Sequence, residues 1–174
     1  MFRRLHKVLM RVHGAEHPET LTVAGNLAFS LSNQGRLADA ERIEREVHEV
    51  RMRVLGAEHQ STLTSASNLA SSLSKQGKHV DAERIQREVH EAEKRVLGAE
   101  HPNTLMGTAN LAMSLYNQGK YADAERIQRE VLGVQKRVLG AEHPDTLSVA
   151  GNLGMCLSNQ GKYAEAVRIQ REVL

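Results

Sequence analysis

Between positions 18 and 34, the residues Leu21, Ala24, Leu27, Ala28 and Leu31 fall on one side of a helix, with Thr22, Asn26 and Ser30 among the residues between them. Pro18 suits the first turn, where a missing amide proton costs nothing, and Glu19 puts negative charge at the positive end of the helix dipole. Gln34-Gly35 then offers a glycine that can take the left-handed conformation ending a helix. A second stripe, Ala40, Ile43, Val47, Val50 and Val54, starts near Arg36 and closes at Gly56, which predicts a longer second helix.

The same two stripes recur every 42 residues, together with the connecting run Leu-Gly-Ala-Glu-His-Pro. That run is intact at Leu97 to Pro102 and Leu139 to Pro144, and altered by one residue at His13 to Pro18 and Leu55 to Gln60. The later second-helix stripes are Ala82, Ile85, Val89, Ala92, Val96, then Ala124, Ile127, Val131, Val134, Val138, then Ala166, Ile169, Val173. A period of this length is the signature of a solenoid, in which each unit buries its apolar face only by stacking on its neighbours. The chain divides into a partial unit 1–14, repeats 15–56, 57–98 and 99–140, and a truncated repeat 141–174, a single array that begins and ends within repeat helices. Small residues at Ala28, Ala70 and Ala112, and at Ala40, Ala82, Ala124 and Ala166, let antiparallel helix axes approach to roughly 8–10 Å.

Residues 1–14 carry Arg3, Arg4, Lys7 and Arg11 without an acid, as an organelle presequence would. Their match to 43–56, with Arg3, His6, Val8, Met10, Arg11, Val12 and Gly14 recurring one period later, reads better as the back half of a repeat helix. The pairs Glu41/Arg45, Glu83/Arg87 and Glu125/Arg129 stand four apart and read as a solvated face, each worth a few tenths of a kcal/mol.

The motif Asn-Leu-Ala-x-x-Leu-x-x-Gln-Gly-Lys-Tyr-Ala-Asp-Ala-Glu is intact at Asn110 to Glu125 and nearly so at 26–41, 68–83 and 152–167. It resembles the tetratricopeptide repeat, and the 42-residue unit resembles the variety typified by kinesin light chains. The resemblance implies an all-α fold, a right-handed α-solenoid of antiparallel helix pairs. Val47, Val89, Val131 and Val173 depart from the alanine common in that family, and Glu44 and Gln86 from a common aromatic, while Leu37, His79, Tyr121 and Tyr163 vary at one shared site. With only 3% aromatic residues, packing rests on aliphatic side chains, and the case for an aromatic-lined cargo pocket weakens.

On each first helix a second stripe lies opposite the core: Thr22, Asn26, Phe29, Asn33; Thr64, Asn68, Ser71, Lys75; Met106, Asn110, Met113, Asn117; Ser148, Asn152, Met155, Asn159. First helices line the concave side of tetratricopeptide arrays, so the resemblance implies that these residues line a groove for an extended peptide or a partner helix. A primary amide both donates and accepts, so the repeated asparagine suits a peptide backbone of any sequence. The alternative is that each asparagine bonds a neighbouring helix or its own helix end. Phe29, Met106, Met113 and Met155 add adaptable apolar contacts or serve as spare packing residues. Kinesin light chain grooves use basic residues for acidic cargo, but only Lys75 on this stripe is basic, so a strongly acidic ligand is not expected.

Charge and chemistry add exclusions. With 23 Lys and Arg against 21 Asp and Glu, the net charge of +2 supplies no field for nucleic acid or an anionic membrane. No apolar run reaches the roughly 18 residues of a membrane span. The single Cys156 excludes an intrachain disulfide and fits a reducing, cytoplasmic compartment; it takes the place of Ser30, Ser72 and Ser114 and reads as a small packing residue rather than a nucleophile. Glu16-His17, Glu58-His59, Glu100-His101 and Glu142-His143 recur once per unit. Equivalent residues of stacked layers stand roughly 10 Å apart, against roughly 2 Å for a zinc–nitrogen bond, so no metal is expected. His13 and His17 are four apart but flank a Gly/Pro turn. No phosphate loop, nucleophile elbow or cofactor motif is present, so no cofactor and no enzymatic activity are expected.

The chain therefore reads as a protein-binding module. Its rival is a structural scaffold that self-associates through open ends or second-helix faces, exposing the stripe Met1, Leu5, Val8 and Val12.

Overall fold

The computed structural model of the chain describes residues 2–172, and the side chain of Arg3 is outside the description; the expectations for Met1 and Val173 therefore lie outside the described residues. Among these residues the structure is all-α. It consists of α1 (Phe2–Val12), α2 (Pro18–Asn33), α3 (Leu37–Leu55), α4 (Gln60–Lys75), α5 (His79–Leu97), α6 (Pro102–Asn117), α7 (Tyr121–Val138), α8 (Pro144–Asn159) and α9 (Tyr163–Arg171). The chain forms two compact units, Met1–Ile85 and Gln86–Leu174, with the division inside α5.

The helix ends follow from local chemistry. His17, His59, His101 and His143 each precede a helix in extended conformation, and each ring Nδ1 accepts a hydrogen bond from the backbone N–H two residues on, at 3.1–3.3 Å. These imidazoles perform the work usually given to Ser, Thr, Asn or Asp at an N-cap, satisfying one orphan donor of the first turn. The recurring histidine is thus part of the helix start. At the other end, Gly35 at φ 76° donates to Ser32 O at 3.0 Å and Arg36 N–H reaches Leu31 O at 2.9 Å, the paired bonds of a Schellman cap. Gly77, Gly119 and Gly161 repeat this conformation.

Unit 1 is centred on Leu21, Ala24, Leu27, Ala28 and Leu31 of α2 against Ala40, Ile43 and Val47 of α3. Unit 2 gathers Leu105, Ala112 and Leu115 of α6, Ala124, Ile127, Val131 and Leu132 of α7, and Val149, Ala150, Leu153, Cys156, Leu157, Ala166 and Ile169 of α8 and α9. Ala28, Ala40, Ala112 and Ala124 have no exposed surface, as close helix approach requires. The second-helix stripe ends earlier than its periodicity suggests. Val54, Val96 and Val138 are 50%, 50% and 46% exposed. In unit 1 the cause is length: α3 has 19 residues against 16 in α2 and α4, so its last turn projects past the helices it packs on.

Helices α3 and α4 of unit 1 run antiparallel. Along α3, Glu41 meets Gln76, His48 meets Ser65, and Arg51 meets Ser61, so numbers rise on one helix as they fall on α4. Two of the glutamates on the second helices, Glu41 and Glu125, do not lie on a solvated face, contrary to the reading from spacing alone. The Glu41 side chain is only 13% exposed and accepts from Lys78 at 2.7 Å, Gln76 at 2.8 Å and Arg45 at 2.9 Å. In unit 2 Glu125, 12% exposed, accepts from Lys162 and Gln160, both at 2.8 Å, and from Arg129 at 2.9 Å. Each carboxylate ties a second helix to the loop and helix end of the next layer. Hydrogen bonds from Lys78 and Arg45 hold Glu41 at a pKa of about 2 against the opposing effect of burial. Burial pushes Glu125 up, and the bonds from Lys162, Arg129 and Gln160 outweigh it, leaving a pKa of about 2.

Candidate functional site

Within unit 1, α2 presents Thr22, Asn26, Phe29 and Asn33, and α4 presents Thr64, Asn68, Ser71 and Lys75, all exposed. Within unit 2, α6 presents Met106, Asn110, Met113 and Asn117, and α8 presents Ser148, Asn152, Met155 and Asn159; Met113 and Asn152 are half-buried and the others exposed. This outward face follows from helical geometry, because the leucines and alanines of the same helices occupy the opposite side. Phe29 at 63% and Met106 at 60% exposure leave substantial apolar surface in water.

Several of these side chains have work within the fold. Thr22 and Thr64 donate to Pro18 O and Gln60 O, both at 2.9 Å, along their own first turns. Lys75 donates to Ser32 Oγ at 3.1 Å, so the one cation of the stripe is tied to α2. Asn159 donates to Tyr116 Oη at 2.8 Å and to Met155 O at 3.0 Å. Asn26, Asn68, Asn110 and Asn152, one per first helix, have no hydrogen-bond partner among the described residues.

Concavities flank α2 in unit 1. One, of about 680 Å³, is floored by Leu21, Ala24, Leu27 and Leu31 and bordered by α1 and α3. Another, of about 560 Å³, lies on the asparagine side of α2 and is lined by Phe2, Asn26, Phe29, Ser30, Asn33 and Gln34. Phe2, Ser30 and Gln34 are absent from the stripe read in the sequence. The available signal was Phe2 itself, which stands one period before Glu44 and so breaks the polar identity of that position.

Burial first, then the charge of Glu125, pushes the Cys156 thiol up to about 11, which keeps it protonated near neutral pH. Among the described residues no three His, Cys, Asp or Glu side chains converge as a metal site would require. No helix among them is long and apolar enough to cross a membrane. His13 stacks on the capping His17 at 4.5 Å between ring centres.

The tetratricopeptide repeat family matches residues 19–93 and 104–174, most of the chain. The chain belongs to that family. No curated protein matches it. Among solved structures, the nearly identical TPR-like repeats assigned to a kinesin light chain of Podosopora anserina are 24% identical, with a TM-score of 0.83 over 99% of this chain and 82% of that one. BtubC (BKLC) from P. vanneervenii is 18% identical, with a TM-score of 0.78 over 88% of this chain and 61% of that one. A Rap protein complexed with Competence and Sporulation Factor is 13% identical, with a TM-score of 0.80 over 99% of this chain and 46% of that one. These likenesses establish the fold as an α-solenoid of kinesin-light-chain-like tetratricopeptide units, generally a non-enzymatic interaction scaffold.

Proposed function

We propose that the chain is a non-enzymatic protein-binding module whose exposed first-helix face in each unit holds an extended peptide or partner helix. Asn26 and Asn68 act in unit 1, and Asn110 and Asn152 in unit 2. The observation that carries this reading is the recurrence of an unpartnered amide on every first helix, on the side away from the core. An amide that neither caps its helix nor bonds a neighbour is free to pair with a ligand backbone. A Rap relative in the fold comparison was solved with a bound factor, which fits a scaffold of this kind. The single buried Cys156 suits a reducing, cytoplasmic setting, and the small net charge offers nothing to nucleic acid or membrane.

A peptide array identifies ligands, and Asn68→Ala and Asn110→Ala then test the face. Each replacement is expected to weaken binding by about three- to tenfold, the size of one lost net hydrogen bond. Affinities unchanged in both variants would move the site elsewhere.

A second reading, self-association as a scaffold, is favoured by α1, where Leu5, Val8 and Val12 are 42%, 54% and 68% exposed on one short helix. Light scattering across a wide concentration range is expected to show a rising mass under that reading. A constant monomer mass would rule it out.

A further inference from the structure

The chain contains two phenylalanines, and both line the same concavity. Phe2 reaches it from α1 and Phe29 from α2, with Asn26, Asn33, Gln34 and Ser30 completing the wall. At about 560 Å³ it falls within the roughly 300–1,000 Å³ typical of small-ligand sites. We infer that this pocket of unit 1 anchors an uncharged apolar side chain of a bound peptide, aromatic or branched aliphatic, while the amides of Asn26 and Asn33 engage the backbone on either side. This rests on the peptide-binding reading above and gives it a specificity position.

Three observations select that occupant. First, among the described residues the lining contains no ionisable group, so a charged side chain entering it meets no counter-charge there. Lys75, the cation of the neighbouring α4 stripe, is held on Ser32. Second, the two rings are 36% and 63% exposed, a placement that leaves apolar area for a ligand to remove from water and ring faces for offset or edge-to-face contact. Third, Asn26 and Asn33 have no partner within the fold, whereas Gln34 is occupied as a donor to Ser30 Oγ at 3.3 Å. The two free amides stand seven residues apart on α2, two turns of one face, and flank the Phe29 ring between them.

The site is particular to this layer. One, two and three periods on, the place of Phe2 is taken by Glu44, Gln86 and Gln128, all buried, and the place of Phe29 by Ser71, Met113 and Met155. A buried carboxyl or amide there cannot present a second ring. The other three first helices keep the backbone-reading asparagine without the aromatic pair, so sequence preference in the ligand belongs to the segment over α2.

The test uses four acetylated, amidated heptapeptides of glycine and serine that differ only in the central residue: phenylalanine, leucine, lysine or aspartate. Binding to the full chain is followed by two-dimensional NMR titration up to millimolar peptide. The phenylalanine and leucine peptides are expected to bind about tenfold more tightly than the lysine and aspartate peptides, with the largest shifts at Asn26, Phe29 and Asn33. Phe29→Ala, a change at an exposed position, is expected to abolish that preference. Asn68→Ala is expected to weaken all four peptides alike and keep it. A preference that survives both Phe29→Ala and Phe2→Ala overturns the pocket while leaving the asparagine face standing. Binding of all four peptides that is indifferent to Asn68→Ala and Asn110→Ala as well, or no binding by any of them, overturns both readings.

Discussion

Leu157→Ala is expected to lower the free energy of unfolding by about 2–5 kcal/mol, while Leu147→Ala on the same helix costs less than about 1.5 kcal/mol. Both leucines belong to the repeated core pattern of α8. Leu157 has no exposed surface and packs in the unit 2 core beside Leu153, Ala166 and Ile169. Truncating it removes its transfer free energy and leaves a cavity that rigid helix backbones cannot close. Leu147, on the first turn, is 37% exposed, so water already meets much of its surface and fills the space it leaves. Thermal or urea denaturation of the two variants measures the difference, at roughly 2–4 °C per kcal/mol for a chain of this size. Equal losses at the two positions would mean that burial within a layer does not set the cost.

That contrast also marks how far the sequence is legible. Helix positions followed from the apolar spacing, and the glycine ends from the left-handed conformation that only Gly35 and its equivalents adopt without strain. Such information is local, carried within a few residues of where it acts. The depth of burial at Leu147 against Leu157 depends on what the neighbouring helix covers. The partnership of Glu41 with Lys78 and Gln76 spans nearly a whole period, and nothing in the i,i+4 spacing to Arg45 announces it. The histidine caps were hidden for a different reason: imidazole is an unusual N-cap, so Glu-His pairs suggest metal or acid–base chemistry before they suggest a helix start. For the candidate face, helical periodicity was enough to list the outward residues. It could not bring Phe2 to Phe29, which lie on different helices and at different places in the repeat.

Two sets of buried carboxylates give stability opposite pH dependences, and separate variants are expected to remove each. Glu41 and Glu125, held at about 2, contribute stability that is fully present above the ordinary carboxylate value of 4.5 and is lost as pH falls toward 2. Glu93 behaves in reverse. It is 5% exposed, its Oε2 has no hydrogen-bond partner, and burial pushes its pKa up to about 7. Its space is made by Gly107, where a Cβ would stand 2.6 Å from Oε2, and α6 offers no charged residue to compensate it. The folded state therefore holds a proton on Glu93 that the unfolded chain has released, and stability falls as pH rises from 4.5 through 7. Glu44, also raised by burial, adds to the same limb. Glu93→Gln keeps the shape, matches the Gln135 found one period later, and removes the charge. It is expected to stabilise the protein at pH 8 by about 1–3 kcal/mol and to have little effect at pH 4.5. Glu125→Gln acts on the other limb, with a loss of about 1–3 kcal/mol at pH 7 that shrinks as pH approaches 2, because the wild-type carboxylate then loses its charge too. Urea midpoints measured between pH 3 and 8 distinguish the cases: parallel profiles for wild type and Glu93→Gln from pH 5 to 8 would show that Glu93 is solvated or paired, and not ionised at the expense of folding.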